Sequence, residues 1–276
     1  MKIKYSLCSS LFVLLLGACG HGAPPHHSSF DPISLAQPAK GDSTIYGLAC
    51  EGCTDSVVVL LPNQGGDPIT YNILEAKRRG QVFGSPHMGD WIGVVLDGKK
   101  SRNAKMVIDL DELKGTWTFL VMPTLRNIDK LSSRAQRQAL RAMPDSAKET
   151  FMIPREYGFT LARQSVATPV GFVRQSGTED TSPVEYPKVR WYTEWHVYNG
   201  RLILIQGQYS FQGQVINPVT IRDTADIIYM QNDSLALRFK GNKVVGFHRQ
   251  ADAMKANAKA NAAAAKQQEK LKRELQ

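Results

Sequence analysis

The chain has 276 residues, 42% of them hydrophobic, and carries 34 Lys and Arg against 25 Asp and Glu, a formal charge of +9. That surplus comes without basic residues interleaved among aromatics, so nucleic acid is not an expected partner. Neither a Gly-x-Ser-x-Gly nucleophile turn, nor a phosphate-cradling Gly-rich loop with its Lys, nor a His-Glu-x-x-His helix is present, so the reading leans away from an enzyme and names no catalytic residue, cofactor or metal.

Residues 1–18 begin with Lys2 and Lys4, continue through the apolar run 11–16, and end in Gly17-Ala18 before Cys19. A basic start followed by a short apolar core is a secretory signal, and the run is too short for a transmembrane helix, which needs about 20 apolar residues. Leu16-Gly17-Ala18-Cys19 resembles the bacterial lipobox. The resemblance implies that Cys19 is acylated and becomes the first mature residue, anchoring the chain through membrane lipid in the cell envelope. The expected place is the periplasmic face of the outer membrane, because no acidic cluster follows Cys19. Loss of Lys2 and Lys4 with the signal lowers the charge from +9 to +7. Residues 19–41 are rich in Gly, Pro, Ser and His without hydrophobic period, and read as a flexible tether.

Residues 42–113 show short β-prone runs at 44–49, 56–61, 70–74, 81–83, 90–96 and 104–110, separated by turn residues such as Gly65-Gly66-Asp67-Pro68 and Asp97-Gly98. Five or six short strands in so little chain predict a small barrel similar to an oligonucleotide-binding fold, which implies no ligand. Cys50-Glu51-Gly52-Cys53 falls in a turn between two of these runs. With Cys8 removed and Cys19 acylated, a disulfide between Cys50 and Cys53 is the favoured reading for an oxidising envelope. Unpaired thiols and a redox-active or metal-linked pair are the alternatives.

Residues 114–250 contain eight strand candidates, at 115–122, 157–165, 168–175, 188–197, 201–210, 219–229, 233–240 and 243–250. Asn199-Gly200 is a strong hairpin signal, and Asn232-Asp233 and Gly241-Asn242 mark the next two turns. Eight antiparallel strands joined by hairpins predict an up-and-down barrel. The long first connection, 126–150, reads as a polar surface helix with Ser132 or Ser133 as cap and Pro144 as stop. On it Arg134, Arg137 and Arg141 recur every three to four residues, so they share a face, with Arg126, Lys130 and Arg155 flanking. Between 191 and 198, alternation puts Trp191 and Trp195 on one strand face and Tyr192, Glu194, His196 and Tyr198 on the other. Glu194 and His196 could make an acid–base pair, though such neighbours are common on strands.

Gly115-Thr116-Trp117 on the first strand and Arg249 on the last resemble the Gly-x-Trp signature and closing arginine of the lipocalins. The layout as a whole resembles lipocalin-like lipoproteins of Bacteroidota. The resemblance covers about half the chain, and implies that Trp117 and Arg249 stack to seal one end while the long first connection folds over the other. On that reading an apolar or amphipathic ligand is expected inside, touched by Trp191 and Trp195 and by a basic rim of Arg134, Arg137 and Arg141. The alternatives are a filled barrel that engages an envelope protein and, less favoured, an envelope enzyme. Residues 251–276, an Ala/Lys/Gln-rich stretch with net charge +3, predict a solvated basic helix, because no apolar stripe marks a buried face.

Overall fold

The computed structural model describes residues 39–127, 130–171, 183–187, 189–207, 210–211, 214–215, 219–252 and 255–274. The expected signal peptide, the expected acylation site Cys19 and the expected tether up to Pro38 lie outside the described residues.

The first domain is a six-stranded sheet. In chain order its elements are β1 (Thr44–Ala49), β2 (Val57–Pro62), β3 (Ile69–Asn72), α1 (Leu74–Arg78), β4 (Val82–Phe83), β5 (Trp91–Leu96) and β6 (Ala104–Asp109), in sheet order β3-β2-β1-β5-β6-β4. A parallel bridge, Asn72↔Asn103, with Asn72 N–H donating to the Arg102 carbonyl at 2.8 Å, brings the end of β3 against the start of β6 and curls the sheet toward a barrel. A β1-β2-β3 meander, a helix, the two-residue β4 and the β5-β6 pair, which joins β1 antiparallel and meets the end of β3 at one parallel bridge, make a small, curled six-stranded sheet. Val58, Leu60, Ile92, Val94 and Val107 form its core.

The turn at Cys50-Glu51-Gly52-Cys53 corrects the sequence reading: both cysteines are free thiols. The physical reason is local. Cys53 Sγ is held in a backbone cradle, 3.2 Å from the Cys50 carbonyl and accepting the Val59 N–H at 3.4 Å, so it faces main chain and not the other sulfur.

A short helix, α2 (Leu110–Leu113), joins the domains; Asp109 caps it, its Oδ1 accepting the Asp111 and Glu112 N–H groups at 2.9 Å. The second domain then runs β7 (Gly115–Val121), β8 (Thr124–Leu125), α3 (Ser133–Ala142), α4 (Asp145–Phe151), β9 (Arg155–Leu161), β10 (Ala167–Val170), β11 (Val184–Glu185), β12 (Glu194–Tyr198), β13 (Arg201–Gln206), β14 (Ser210–Phe211), β15 (Gln214–Val215), β16 (Ile221–Gln231), β17 (Ser234–Phe239), β18 (Lys243–Arg249) and α5 (Ala258–Glu274). Eight of these form one antiparallel sheet, β10-β9-β7-β18-β17-β16-β13-β12. The two ends of that sheet meet: Ala167 N–H donates to the Thr193 carbonyl at 2.9 Å and Trp195 N–H to the Ser165 carbonyl at 2.8 Å. The result is a nearly closed up-and-down barrel. Positive φ at Asn199, Gly200, Asn232, Gly241 and Asn242 shows why those turn residues were needed.

The barrel stands on the first domain. Trp117 and Phe159 belong to one buried cluster with Phe83, Ile108, Leu110 and Leu113. Gly84 N–H donates to the Met230 carbonyl at 3.0 Å. Gly200 is where a side chain is excluded: its φ is +75°, and a Cβ there would lie 2.5 Å from Met106 Sδ.

The C-terminal segment departs from the solvated helix expected. Asn257 and Ala260 are buried. The Asn257 side chain pairs with the backbone of Glu156 like a strand would, Oδ1 accepting its N–H at 2.7 Å and Nδ2 donating to its carbonyl at 2.8 Å. A polar amide, not an apolar stripe, docks the segment on the barrel. Among the described residues no helix is long and apolar enough to cross a membrane.

Candidate functional site

The end of the barrel nearest the first domain is sealed. The Arg249 guanidinium lies 4.3 Å from the Trp117 ring centroid, donating from Nη1 to the Lys114 carbonyl at 2.9 Å and from Nη2 to the Glu112 carbonyl at 2.6 Å. Trp117 is fully buried and its Nε1 donates to the Leu113 carbonyl at 2.8 Å. Gly115, at φ +133°, is required here because a Cβ would sit 2.3 Å from Arg249 Nη1. The charge of Arg249 is thus spread over an indole face, two carbonyls and the Asp233 carboxylate, whose Oδ1 lies 3.6 Å from Nε.

Above the seal the interior is filled by its own side chains. Phe159 meets Phe247 at 5.2 Å, Phe247 meets Phe119 edge-on at 5.3 Å, and Tyr192 meets Phe159 edge-on at 6.0 Å. Leu202, Leu204, Leu235 and Leu237 close around them.

The opposite end is the mouth. The connections after β7 and β10 meet there, β8 pairing with β11, and Arg126 N–H donates to the Pro183 carbonyl at 2.9 Å. The inward face of β9 reads Arg155, Tyr157, Phe159, Leu161, all buried. Arg155, 8% exposed, is the rim residue of that row. Its guanidinium lies 3.9 Å from the Tyr186 ring centroid. Tyr186 stands edge-on to Tyr157 at 6.3 Å and donates its hydroxyl to the Ile153 carbonyl at 2.6 Å. Tyr192 donates to Asp223 Oδ2 at 2.7 Å, and Arg190 forms an ion pair with Asp223. Burial and then the Asp223 bond push the Tyr192 hydroxyl well above the usual range. The mouth thus joins a cation to aromatic rings over an apolar floor.

The residues proposed from sequence are placed differently from one another. Trp117 and Arg249 come together. Trp195 is buried and its Nε1 donates to the Ala162 carbonyl at 2.8 Å, so it pins the barrel's closure. Trp191 does not share its face. β12 begins only at Glu194, and Thr193 directs both its N–H and its hydroxyl to the Ile205 carbonyl, which breaks the alternation. Tyr192 therefore turns inward, and Trp191 is half-buried before the strand. Arg134, Arg137 and Arg141 are exposed along α3, whose Ser132 cap accepts the Ala135 N–H at 3.3 Å. Glu194 and His196 lie on the outer face of β12. Burial first, then the nearby Arg222 charge, lowers the His196 imidazole to about 4.

Arg155 is the residue that sequence reading misplaced. Grouped with the loop charges, it is the first residue of β9, and alternation with Tyr157 and Phe159 was the signal that assigns it to the interior. Among the described residues, no group of three or more His, Cys, Asp or Glu could hold a metal ion.

No family model and no curated protein matches the chain. A solved structure described as a lipocalin-like protein from Bacteroides thetaiotaomicron is similar over 49% of this chain and 94% of its own, at 18% identity and a TM-score of 0.26.

Proposed function

We propose that this protein is a lipid-anchored envelope protein that takes a small anionic amphiphile at the open mouth of its barrel. The buried, inward-facing Arg155 carries the reading. Here it stands at the rim of an apolar interior, stacked on Tyr186, where it could meet a carboxylate or phosphate in two-pronged fashion. The packed aromatic floor makes the site shallow, so the headgroup and the first few methylenes would be held. The lipobox at Cys19 supports the anchor.

The filled interior favours a second reading, a barrel that serves only as an interaction module. Laurate titration separates the two, followed by tryptophan fluorescence and calorimetry. Binding should weaken at least tenfold in Arg155→Met, a loss of about 1.4 kcal/mol. Arg155→Lys should recover it only in part, because an ammonium lacks the planar fork. Absence of laurate binding to the native protein would leave the interaction module. The anchor is checked alongside by palmitate labelling of native cells, which Cys19→Ser should abolish.

A further inference from the structure

The barrel wall is unevenly laced. β9 pairs with β7 along its whole length, from Gly115 to Val121, and β17 pairs with β18 from Ser234↔His248 to Phe239↔Lys243. Between β7 and β18 the ladder pairs Trp117↔Arg249 and Thr118↔His248, extended by Gln250 N–H donating to the Thr116 carbonyl at 2.8 Å, all beside the seal. Toward the mouth the two strands continue without pairing to each other. Such an unlaced seam leaves edge groups that a closed barrel normally satisfies.

The residues beside the seam match an acyl chain more than water. Leu120 is 60% exposed and Val244 55%, both on the mouth half of their strands, and Met122, just past the end of β7, is 51% exposed. Gly246 adds no side chain, and a Cβ there would meet nothing within 4 Å. Phe119 and Val245 are only partly buried, although both pack against the interior cluster. Apolar side chains therefore stand on both faces of the wall at the seam, Leu120 and Val244 outside and Phe119 edge-on to Phe247 at 5.3 Å inside. Cations border it: Arg238 is the cross-strand partner of Val244, and exposed Lys240 and Lys243 follow at the β17–β18 turn. The nearest carboxylate, Glu156 beside Leu120, is engaged by Thr118 at 2.7 Å, Gln250 at 2.9 Å and His248 at 3.2 Å.

From this arrangement we infer that the β7–β18 seam is a lateral gate that receives the acyl chain of an anionic lipid from a bilayer surface and passes it to the mouth. The inference rests on the ligand reading above and names the route and source of that ligand. Apolar residues ringed by cations complement an anionic bilayer, whose surface attracts nearby Lys and Arg side chains. The tether permits the approach. Gly41 and Ser43 are fastened to Asn199 at the sealed end. The 23 residues from Cys19 to Gly41 have a greatest possible reach of about 75 Å, against about 25 Å for a barrel strand. An anchored molecule can therefore lay its seam on the membrane.

The test is stopped-flow transfer of a dansylated dodecanoate from phosphatidylglycerol vesicles to the protein, compared with uptake from free solution. Leu120→Glu with Val244→Glu should slow transfer from vesicles at least tenfold while leaving the equilibrium Kd within twofold. Leu120→Ser with Val244→Ser, which removes the apolar border without adding charge, should slow it less and serves if the first variant is poorly folded. Unchanged transfer rates in both variants, with the native Kd intact, would overturn the gate and leave the ligand reading standing. Native protein that takes up no probe from either source would overturn the ligand reading and the gate together.

Discussion

The two ends of the barrel solve the same problem in opposite ways. At the sealed end the polar groups of the seal are spent on the fold: Arg249 on Trp117, two carbonyls and Asp233, Trp117 on the Leu113 carbonyl, Asp109 on the cap of α2. At the mouth, apolar side chains face solvent, the β7–β18 ladder stops short, and Arg155 rests on a ring. The sealed end also carries the first domain, and Phe83, Ile108, Leu110 and Leu113 pack into the barrel's own cluster there. Stability is thus concentrated at one end, and the other is left with the surface that a ligand or membrane could use. Elements with few buried contacts and unpaired edges are those that open most readily.

The sharpest way to break this comparison is to remove the largest side chain of the seal. Trp117→Ala deletes a fully buried indole and leaves the Arg249 charge without its ring. The expected cost is about 3–5 kcal/mol, read from urea denaturation. Leu120→Ala, on the same strand but exposed at the mouth half, should change stability by no more than about 0.5 kcal/mol. Similar losses from the two would mean that stability is spread evenly along the barrel.

Much of this architecture was legible because it is local. Asn199-Gly200, Asn232 and Gly241-Asn242 mark the hairpins with residues that tolerate positive φ, and all adopt it. What escaped is non-local or rests on a single polar atom. The Asn72↔Asn103 bridge that curls the first sheet joins segments with no local signal of their meeting. Thr193 inverts the inward order of Trp191 and Tyr192 by taking the Ile205 carbonyl, which no apolar pattern records. Asn257 docks the tail through an amide that looks, in an Ala/Lys-rich stretch, like a solvated residue. The free thiols follow from how one turn aims Cys53 at main chain, a matter of angle and not of spacing.

A second, smaller effect is set by pH. His196, on β12 in the half that carries the first domain, has its imidazole lowered from 6.5 to about 4 by burial and by Arg222, with Asp42 opposing. The folded state therefore resists a proton that the unfolded chain accepts below 6.5. Stability falls as pH drops from about 6.5 to about 4, by at most about 3 kcal/mol, and is regained above that window. Asp109 has the opposite sign: burial raises its carboxyl to about 6, so its contribution is full below 3.8 and lost as pH rises through 6. Because the two oppose each other, the native protein alone does not isolate His196. The difference between native and His196→Gln urea midpoints, measured at pH 7 and pH 4.5, does. His196→Gln should lose less stability on acidification than the native chain; an identical loss would place the acid sensitivity elsewhere.

The smallest effect on stability, and the one that speaks most directly to the mouth, belongs to α3. Arg134, Arg137 and Arg141 are exposed, and no residue of the helix is buried. Reversing all three to Glu should leave the urea midpoint within about 0.5 kcal/mol of native, since exposed charges away from packed features contribute little. Their effect on association should be large by contrast, because a charge near an anionic bilayer is attracted by about 1 kcal/mol and the attraction fades beyond a Debye length of about 8 Å at physiological salt. The measurement is co-sedimentation of Cys19→Ser protein, which removes the proposed acylation site, with phosphatidylglycerol vesicles at low and high salt. If α3 faces the bilayer together with the seam, the triple reversal should cut binding at least tenfold at low salt, and the two proteins should converge at high salt. If binding is unchanged at every salt concentration, these arginines merely solvate a surface helix. Membrane affinity at the mouth would then rest on Leu120, Met122 and Val244 with the Arg238, Lys240 and Lys243 border alone.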